Sequence, residues 1–272
     1  MKKILLSFLL LLSFSFSFAG NFSILTWNIQ DLGRTKDAHE IDAMVQIMRQ
    51  YDIVLIQEVV AKDPAGVQKV AAIVQELDRT GSNWDYRVSD PTNSPSSNMS
   101  ERYAFLWNTA KISLVNRPYL DLALAEICFR EPYIAEFKAK GDANSFFVVN
   151  YHSRKHDDQP EEEIKYFQQY PTRLKTQAVI ICGDFNLTET HAVWDPLKAQ
   201  DYFPVLNEAP TTLKRKCVRG NYLNYAIDNI FFPDKTFVLQ NSGRVDFVGD
   251  CDNLALARGI SDHLPVYAEF SY

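Results

Sequence analysis

Polar side chains of catalytic type lie within or next to several short apolar segments of this 272-residue chain. The residues concerned are Asn28, Glu58, His152, Asp184, Asn186, Asp228, Asp262 and His263. Amide and carboxylate oxygens are the ligands that a hard divalent cation such as Mg²⁺ or Ca²⁺ prefers. A histidine oriented by a carboxylate can accept or donate a proton near neutral pH. Together these residue types favour metal-assisted hydrolysis of a phosphate ester.

Each of these signals has an ordinary structural explanation when it is taken alone. Gly183-Asp184-Phe185-Asn186 is rich in turn-forming residues, and a Gln-Glu pair after a strand is often just a solvated end. A lone histidine usually has a structural role. The functional prediction therefore depends on the joint presence of all these residues. The chain has no Cys/His cluster with zinc spacing, no GxSxG elbow and no GxxxxGK[ST] loop, which argues against those chemistries.

The elements that must position these residues are mostly short apolar strands, with helices in the first third. The periodicity predicts helices over 41–48, from Pro64 to about residue 77, and over about 161–170. Strands are predicted over 22–27, 53–57, 103–107, 112–115, 133–137, 146–151, 178–182, 225–232, 237–241 and 264–270. The segment 89–100, rich in Ser, Asn and Pro, is predicted to be a loop. About ten strands with a few helices favour two sheets packed face to face with helices outside.

The order of the motifs identifies a resemblance to a known family. The matching segments are Trp27-Asn28-Ile29-Gln30, Gln57-Glu58-Val59, Glu101-Arg102-Tyr103, Arg130-Glu131-Pro132, Tyr151-His152-Ser153, Gly183-Asp184-Phe185-Asn186, Ile227-Asp228-Asn229-Ile230 and Ser261-Asp262-His263-Leu264-Pro265. In this order they resemble the endonuclease/exonuclease/phosphatase superfamily, and within it the deoxyribonuclease I group. The resemblance implies an α/β (α+β) fold, a four-layer αββα sandwich of two mixed sheets with its site at one edge.

The resemblance also implies a role for each matched residue. Asn28, Glu58 and Asp262 are similar to metal-site residues, with Mg²⁺ the expected ion and Ca²⁺ or Mn²⁺ as alternatives. His152 with Glu101 and His263 with Asp228 resemble two catalytic pairs, and the choice of acid and base between the histidines stays open. Asp184 and Asn186 are expected to orient water and bind the scissile phosphate, and Arg130 to contact phosphate. The implied reaction is in-line attack of water on phosphorus.

Two substrate contacts of the deoxyribonuclease I pattern are not retained. Val60 stands where the pattern has a minor-groove arginine, and Met99 stands where it has a tyrosine. Basic residues at 214–216 and 219, and the Arg154-Lys155-His156 segment, are candidate backbone contacts or ordinary solvated loops. The leading hypothesis is an endonuclease that hydrolyses DNA. The alternatives are a lipid-directed phosphodiesterase or phosphatase, for which Tyr202-Phe203 and Phe231-Phe232 could supply exposed aromatics, and a non-catalytic binding module.

The ends and the cysteines of the chain bear on where it acts. A cleaved signal peptide is predicted over 1–19, because Lys2 and Lys3 precede an apolar run that ends in small residues before position 20. An uncleaved membrane anchor is the alternative. Its removal would change the formal net charge from −6 to −8, which argues against nonspecific coating of nucleic acid. Residues 20–272 are expected to form one exported, monomeric domain, periplasmic or secreted. Cys217 and Cys251 lie in polar segments and are the expected disulfide, whereas Cys182 is predicted to be a buried thiol.

Overall fold

The computed structural model describes residues 20–96 and 99–272, so the predicted signal peptide lies outside the described residues. The first sheet contains β1 (Asn21–Leu32), β2 (Ile53–Val60), β3 (Trp84–Val88), β4 (Glu101–Asn108), β14 (Val238–Arg244) and β15 (Val266–Ser271). The second sheet contains β5 (Ile112–Leu114), β6 (Tyr119–Leu120), β7 (Tyr133–Ala139), β8 (Phe146–His152), β9 (Val179–Asp184), β10 (Tyr202–Pro204) and β13 (Asp228–Pro233). A separate hairpin is formed by β11 (Leu213–Val218) and β12 (Asn221–Leu223).

Both sheets are mixed, which places polar residues from distant parts of the chain at one edge. The first sheet has the order β14-β15-β1-β2-β4-β3, and the second has the order β10-β13-β9-β8-β7-β5, with β6 paired to β7. The pairs β1–β2 and β8–β9 are parallel, and their neighbours β15, β4 and β13 run antiparallel to them. The ends of the parallel strands and the starts of their antiparallel neighbours therefore meet at the same edge.

Alternation of apolar side chains along the strands builds three layers of contact. In β2, Ile53 and Leu55 point into the space between the sheets, while Val54 and Ile56 point to the opposite face. On that outer face of the first sheet lie α1 (Ala38–Met48) and α2 (Ala65–Arg79). The outer face of the second sheet is covered by α3 (Glu161–Ile164), α4 (Tyr170–Leu174) and α5 (Asp195–Lys198). The two-residue period of apolar side chains along each strand gives every sheet two apolar faces, one for the other sheet and one for the helices. The observed αββα arrangement confirms the predicted fold class.

Several element boundaries differ from the sequence-based expectation. The single helix expected over 161–170 is replaced by α3, a 3₁₀ turn over Phe167–Gln169, and α4. Pro171 lies in the first turn of α4, and because proline cannot donate the hydrogen bond of a helix interior, it begins a new helix rather than continuing the old one. The strand expected from Tyr225 begins only at Asp228. The strands β3, β6, β10, β11 and β12 and the helices α5 and α6 (Leu254–Ile260) were not expected.

The β11–β12 hairpin packs against α6 beside the edge where the strands end. Leu213, Val248, Leu254 and Leu264 form a small apolar cluster there. Cys217 and Cys251 lie at disulfide-bonding distance, with their Cα atoms 5.7 Å apart, in agreement with the expected pairing. Cys182 is fully buried between the sheets, as expected. No helix in the part of the chain that the structure describes is long and apolar enough to cross a membrane.

Candidate active site

Two local backbone features position the site at the edge of the sheets. The pairing of β2 with β4 is interrupted between Ile56 and Val59, and Glu58 has a positive φ of 60° within this bulge. A bulge bends the strand and redirects the side chain of the extra residue. In β9, a Cβ atom at position 183 would lie 1.8 Å from the carbonyl oxygen of Tyr151. Gly183 therefore allows β9 to approach β8 closely, immediately before Asp184.

A buried polar bridge joins the two sheets directly behind the site. The amide of Gln57 donates to the Oδ1 of Asn150 at 2.6 Å, and the amide of Asn150 donates to the carbonyl oxygens of Ile56 and Ala104. Both carbonyls belong to the first sheet, whereas Asn150 belongs to the second. Buried side-chain hydrogen bonds that cross a sheet interface fix the register of the two layers. This bridge holds the two halves of the site in a fixed relation.

The first histidine pair is formed by His152, the last residue of β8, and Glu101, the first residue of β4. The Nδ1 of His152 lies 3.0 Å from both carboxylate oxygens of Glu101. The Nε of Arg130 lies 2.9 Å from Glu101 Oε2, and its Nη1 donates to the carbonyl oxygen of Ser153. Burial raises the pKa of Glu101, but His152 and Arg130 outweigh it and hold that pKa below its ordinary value. Glu101 is therefore a buried, ionised carboxylate that contacts both a histidine and an arginine.

The second histidine pair is formed by His263 and Asp228. The Nδ1 of His263 lies 2.9 and 3.0 Å from the two oxygens of Asp228. The hydroxyl of Thr211 donates to Asp228 Oδ2 at 2.6 Å. Burial lowers the pKa of His263, but the carboxylates of Asp228 and Asp184 outweigh it and raise that pKa to about 10. In the absence of a metal ion, His263 is therefore a cation at neutral pH.

Asp184 lies between the two pairs. Its Oδ2 is 3.4 Å from the Nε2 of His152 and 3.7 Å from the Nε2 of His263. Its Oδ1 accepts a hydrogen bond from the backbone N–H of Asn186, whose φ of 48° turns the chain back towards the carboxylate. Burial raises the pKa of Asp184, but both histidines counteract it and the pKa is below its ordinary value. The same carboxylate accepts a hydrogen bond from the amide of Asn28.

Asn28 connects this catalytic group to the predicted metal site. Its Nδ2 donates to Glu58 Oε1 and to Asp184 Oδ2, both at 3.0 Å, while its buried Oδ1 has no hydrogen-bond partner among the described residues. A buried oxygen without a partner is costly, and a bound cation would satisfy it. Asn28, Glu58 and Asp262 offer the oxygen donors that Mg²⁺ prefers. Asp184, Asp228 and His263 also place one donor atom each within 4.8 Å of one another. The residues at this edge therefore fit a divalent metal ion.

The structure brings the ten predicted site residues to this one edge of the sandwich, and most of them are joined by direct contacts. Asp262 lies near both the second pair and α6, with Oδ1 4.0 Å from His263 Nε2 and Oδ2 3.5 Å from the Nη2 of Arg258. Asn186 lines the adjoining cleft with His263. The other three histidines, at positions 39, 156 and 191, are exposed, as expected. Which residue performs which step stays a prediction.

Three supporting residues were not singled out from the sequence. Lys36 is 5% exposed and donates to the carbonyl oxygens of Gly259 and Ile260 at the end of α6. Burial lowers its pKa, although the nearby acidic side chains oppose this effect. Ser261 donates to the carbonyl oxygen of Asn28 and accepts from the N–H of His263. Together with Thr211, these residues fix the segment that carries the second pair, and only Ser261 lies within a recognised motif.

Comparisons with known proteins agree with this geometry. The chain matches the Endonuclease/Exonuclease/phosphatase family over residues 25–263. It is 30% identical to a deoxyribonuclease of Thioalkalivibrio sp., over 90% of this chain and 70% of the relative. It is 29% identical to deoxyribonuclease-1 of Oryctolagus cuniculus, over 98% of each chain.

Solved structures share the fold at lower identity. A family member from Bacteroides thetaiotaomicron has a TM-score of 0.65 at 15% identity, covering 93% of this chain and 98% of its own. TDP2 of D. rerio, solved with a single-stranded DNA product, has a TM-score of 0.63 at 18% identity, covering 93% and 99%. The family match spans the whole candidate site, from residue 25 within β1, ahead of Asn28, to His263. The chain belongs to the endonuclease/exonuclease/phosphatase family and is a hydrolase that acts on phosphate ester bonds.

Proposed function

We propose that this protein is an exported, Mg²⁺-dependent endonuclease that hydrolyses DNA phosphodiester bonds. The observation that carries the proposal is the placement of Asp184 between two histidines, each of which is held by its own buried carboxylate. The deoxyribonuclease names of the relatives at about 30% identity support DNA as the substrate. The predicted signal segment over 1–19 supports export.

The positions and charges of the side chains suggest a different role in the reaction for each residue. Asp184 is ionised and faces the centre of the site, so it is suited to accept a hydrogen bond from the attacking water. As that water attacks phosphorus, its proton passes to the Asp184 carboxylate, and the bond from phosphorus to the leaving oxygen breaks. His152, whose pKa is raised because Glu101 and Asp184 outweigh burial and Arg130, can protonate that oxygen through Nε2. His263 and Arg130 offset the negative charge that the phosphate gains in the transition state.

A divalent ion held by Asn28, Glu58 and Asp262 would neutralise charge on the phosphate oxygens and lower the pKa of a bound water. Lys36 is positioned to hold the Asp262 segment in place, because its ammonium group fixes the last carbonyl oxygens of α6. The protein is proposed to act as a monomer, with the Cys217–Cys251 bond anchoring the hairpin beside the site.

The lipid-directed alternative is less well supported by the surface. Of the four aromatic residues considered for membrane contact, Tyr202, Phe231 and Phe232 are buried, and Phe203 is 42% exposed. Phe203 pairs with Phe232, near the end of β13 opposite Asp228, so it lies away from the site. The remaining observation in favour of this alternative is the apolar pair Val60 and Met99 in the cleft beside Glu58.

A side-by-side assay of plasmid DNA, RNA and sphingomyelin tests the proposal. The mature protein is expected to cleave DNA with Mg²⁺ and to lose that activity with a chelator. His152→Ala should reduce the rate by roughly 10²–10⁴-fold, the usual contribution of an acid–base group. His39→Ala, a change at an exposed histidine on α1, is the matched control and should leave the rate unchanged. Preferential hydrolysis of sphingomyelin, or full DNA cleavage by His152→Ala, would contradict the proposal.

A further inference from the structure

A cleft of about 460 Å³ opens beside the second histidine pair, and the chemistry described above uses only part of its lining. His263, Asp262 and Asn186 form its catalytic side, and Tyr225 and His156 line it as well. A cleft of this size falls within the range of small-molecule sites. It is therefore a candidate for the part of the substrate next to the scissile phosphate.

The aromatic side of the cleft is exposed but held on a rigid backbone. Tyr225 is 54% exposed, and its ring lies 5.8 Å from the ring of His156 at an interplanar angle of 28°. The N–H of Tyr225 donates to the hydroxyl of Thr212, and its carbonyl oxygen accepts from the N–H groups of Thr211 and Thr212. The hydroxyl of Thr211 also holds Asp228. A large aromatic ring is thus presented to solvent in a fixed position relative to the catalytic pair.

The lining of the cleft is also basic. Lys214, Arg215 and Arg258 line it, against the single carboxylate of Asp262. Within the described part of the chain, neither Lys214 nor Arg215 forms an ion pair, and Arg215 is exposed. Positive side chains and an exposed aromatic face in one cleft are the two features with which proteins bind single-stranded nucleic acid.

We infer that the Tyr225–His156 pair stacks an unpaired nucleobase next to the scissile phosphate, while Lys214 and Arg215 bind the adjoining backbone. The inference rests on the proposed DNA hydrolysis and adds a preference for single-stranded segments. In a duplex, the base faces are covered by their neighbours, so only an unpaired base can offer a face to Tyr225. Val60 and Met99, at the positions of the two absent groove contacts, agree with weaker reliance on a duplex.

Steady-state cleavage of a single-stranded thymidine oligonucleotide and of a duplex of the same length tests the inference. Tyr225→Ala should raise KM for the single strand by roughly tenfold, as expected from the loss of one base-stacking contact, and leave kcat within about twofold. The same variant should change the KM for duplex much less. Tyr225→Phe retains the ring and should behave as the wild type. Phe203→Ala removes an exposed aromatic far from the site and is the matched control.

A binding measurement separates failure of this inference from failure of the proposed function. Anisotropy of a fluorescein-labelled thymidine oligonucleotide is measured on His152→Ala, with and without the added Tyr225→Ala change. A roughly tenfold weaker Kd in the double variant supports the stacking subsite even if the wild type cleaves no DNA. Equal Kd values, or equal KM increases for single strand and duplex, would overturn it.

Discussion

Replacing Glu101 by glutamine tests the first histidine pair with little change in shape. The substitution retains one acceptor oxygen but removes the charge that faces His152 Nδ1 at 3.0 Å and Arg130 Nε at 2.9 Å. Two opposite charges with centres about 4 Å apart interact by about 4 kcal/mol at an effective dielectric constant near 20. If the retained hydrogen bond recovers about 1 kcal/mol of this, the barrier rises by about 3 kcal/mol. The expected result is a fall of roughly 10²-fold in kcat.

The assay is the initial rate of plasmid nicking across pH, with thermal unfolding to verify the fold. Glu101 raises the pKa of His152, so its removal should lower that pKa and move the loss of activity at alkaline pH to lower values. Glu76→Gln is the matched control, because Glu76 is an exposed carboxylate paired with Arg79 on α2. If Glu101→Gln retains more than about a third of the wild-type kcat and an unchanged pH profile, the assigned role of this pair is wrong.

Three further predictions concern the metal, pH and the disulfide. Mg²⁺ at 100 times its Kd should stabilise the wild type by about 2.7 kcal/mol and so raise its Tm, but it should not raise the Tm of Glu58→Gln. An equal rise in Tm for both proteins would refute the metal assignment. Because the folded pKa of His263 is about 10 and its unfolded pKa is about 6.5, the folded state binds more protons between these values. The stability that His263 contributes is therefore complete below about pH 6.5 and is lost as the pH rises towards 10. In urea unfolding with chelator, the free energy of unfolding should fall more steeply over this pH range for the wild type than for His263→Gln. Parallel curves for the two proteins would contradict this. Reduction of Cys217–Cys251, 34 residues apart, should cost about 3–4 kcal/mol and lower Tm by roughly 10 °C, whereas the Cys217→Ser/Cys251→Ser variant should not respond to reductant.

The sequence was most informative where side chains follow strong apolar strands. His152 and Asp184 each end such a strand, and Asn28 follows the apolar part of β1, which continues to Leu32. Their placement at one edge follows from the parallel pairing of β1 with β2 and of β8 with β9. The order of the strands in each sheet could not be inferred from the sequence, because pairing between segments more than 40 residues apart, such as Glu101 opposite Val60, leaves no local pattern.

Other parts of the site depend on features that cannot be predicted from the periodicity of apolar residues in the sequence. The bulge at Glu58 arises from tertiary pairing, and a positive φ at a glutamate cannot be read from composition. The β11–β12 hairpin is short, polar and exposed, so neither its strands nor the exposed ring of Tyr225 beside it has a hydrophobic signature. Lys36 resembled any solvated lysine, although the structure buries it against the end of α6.

A double-variant cycle at His152 and His263 tests the central claim most directly, namely that both pairs serve one hydrolytic site around Asp184. Rates of DNA cleavage with Mg²⁺ are measured for the wild type, His152→Ala, His263→Ala and the combined variant. Each single change should reduce kcat by roughly 10²-fold or more. Because the effects of groups that act on the same transition state are strongly non-additive, the double variant should be only slightly slower than the worse single variant. Near-wild-type cleavage by either single variant, or losses that multiply fully in the double variant, would contradict a single shared site.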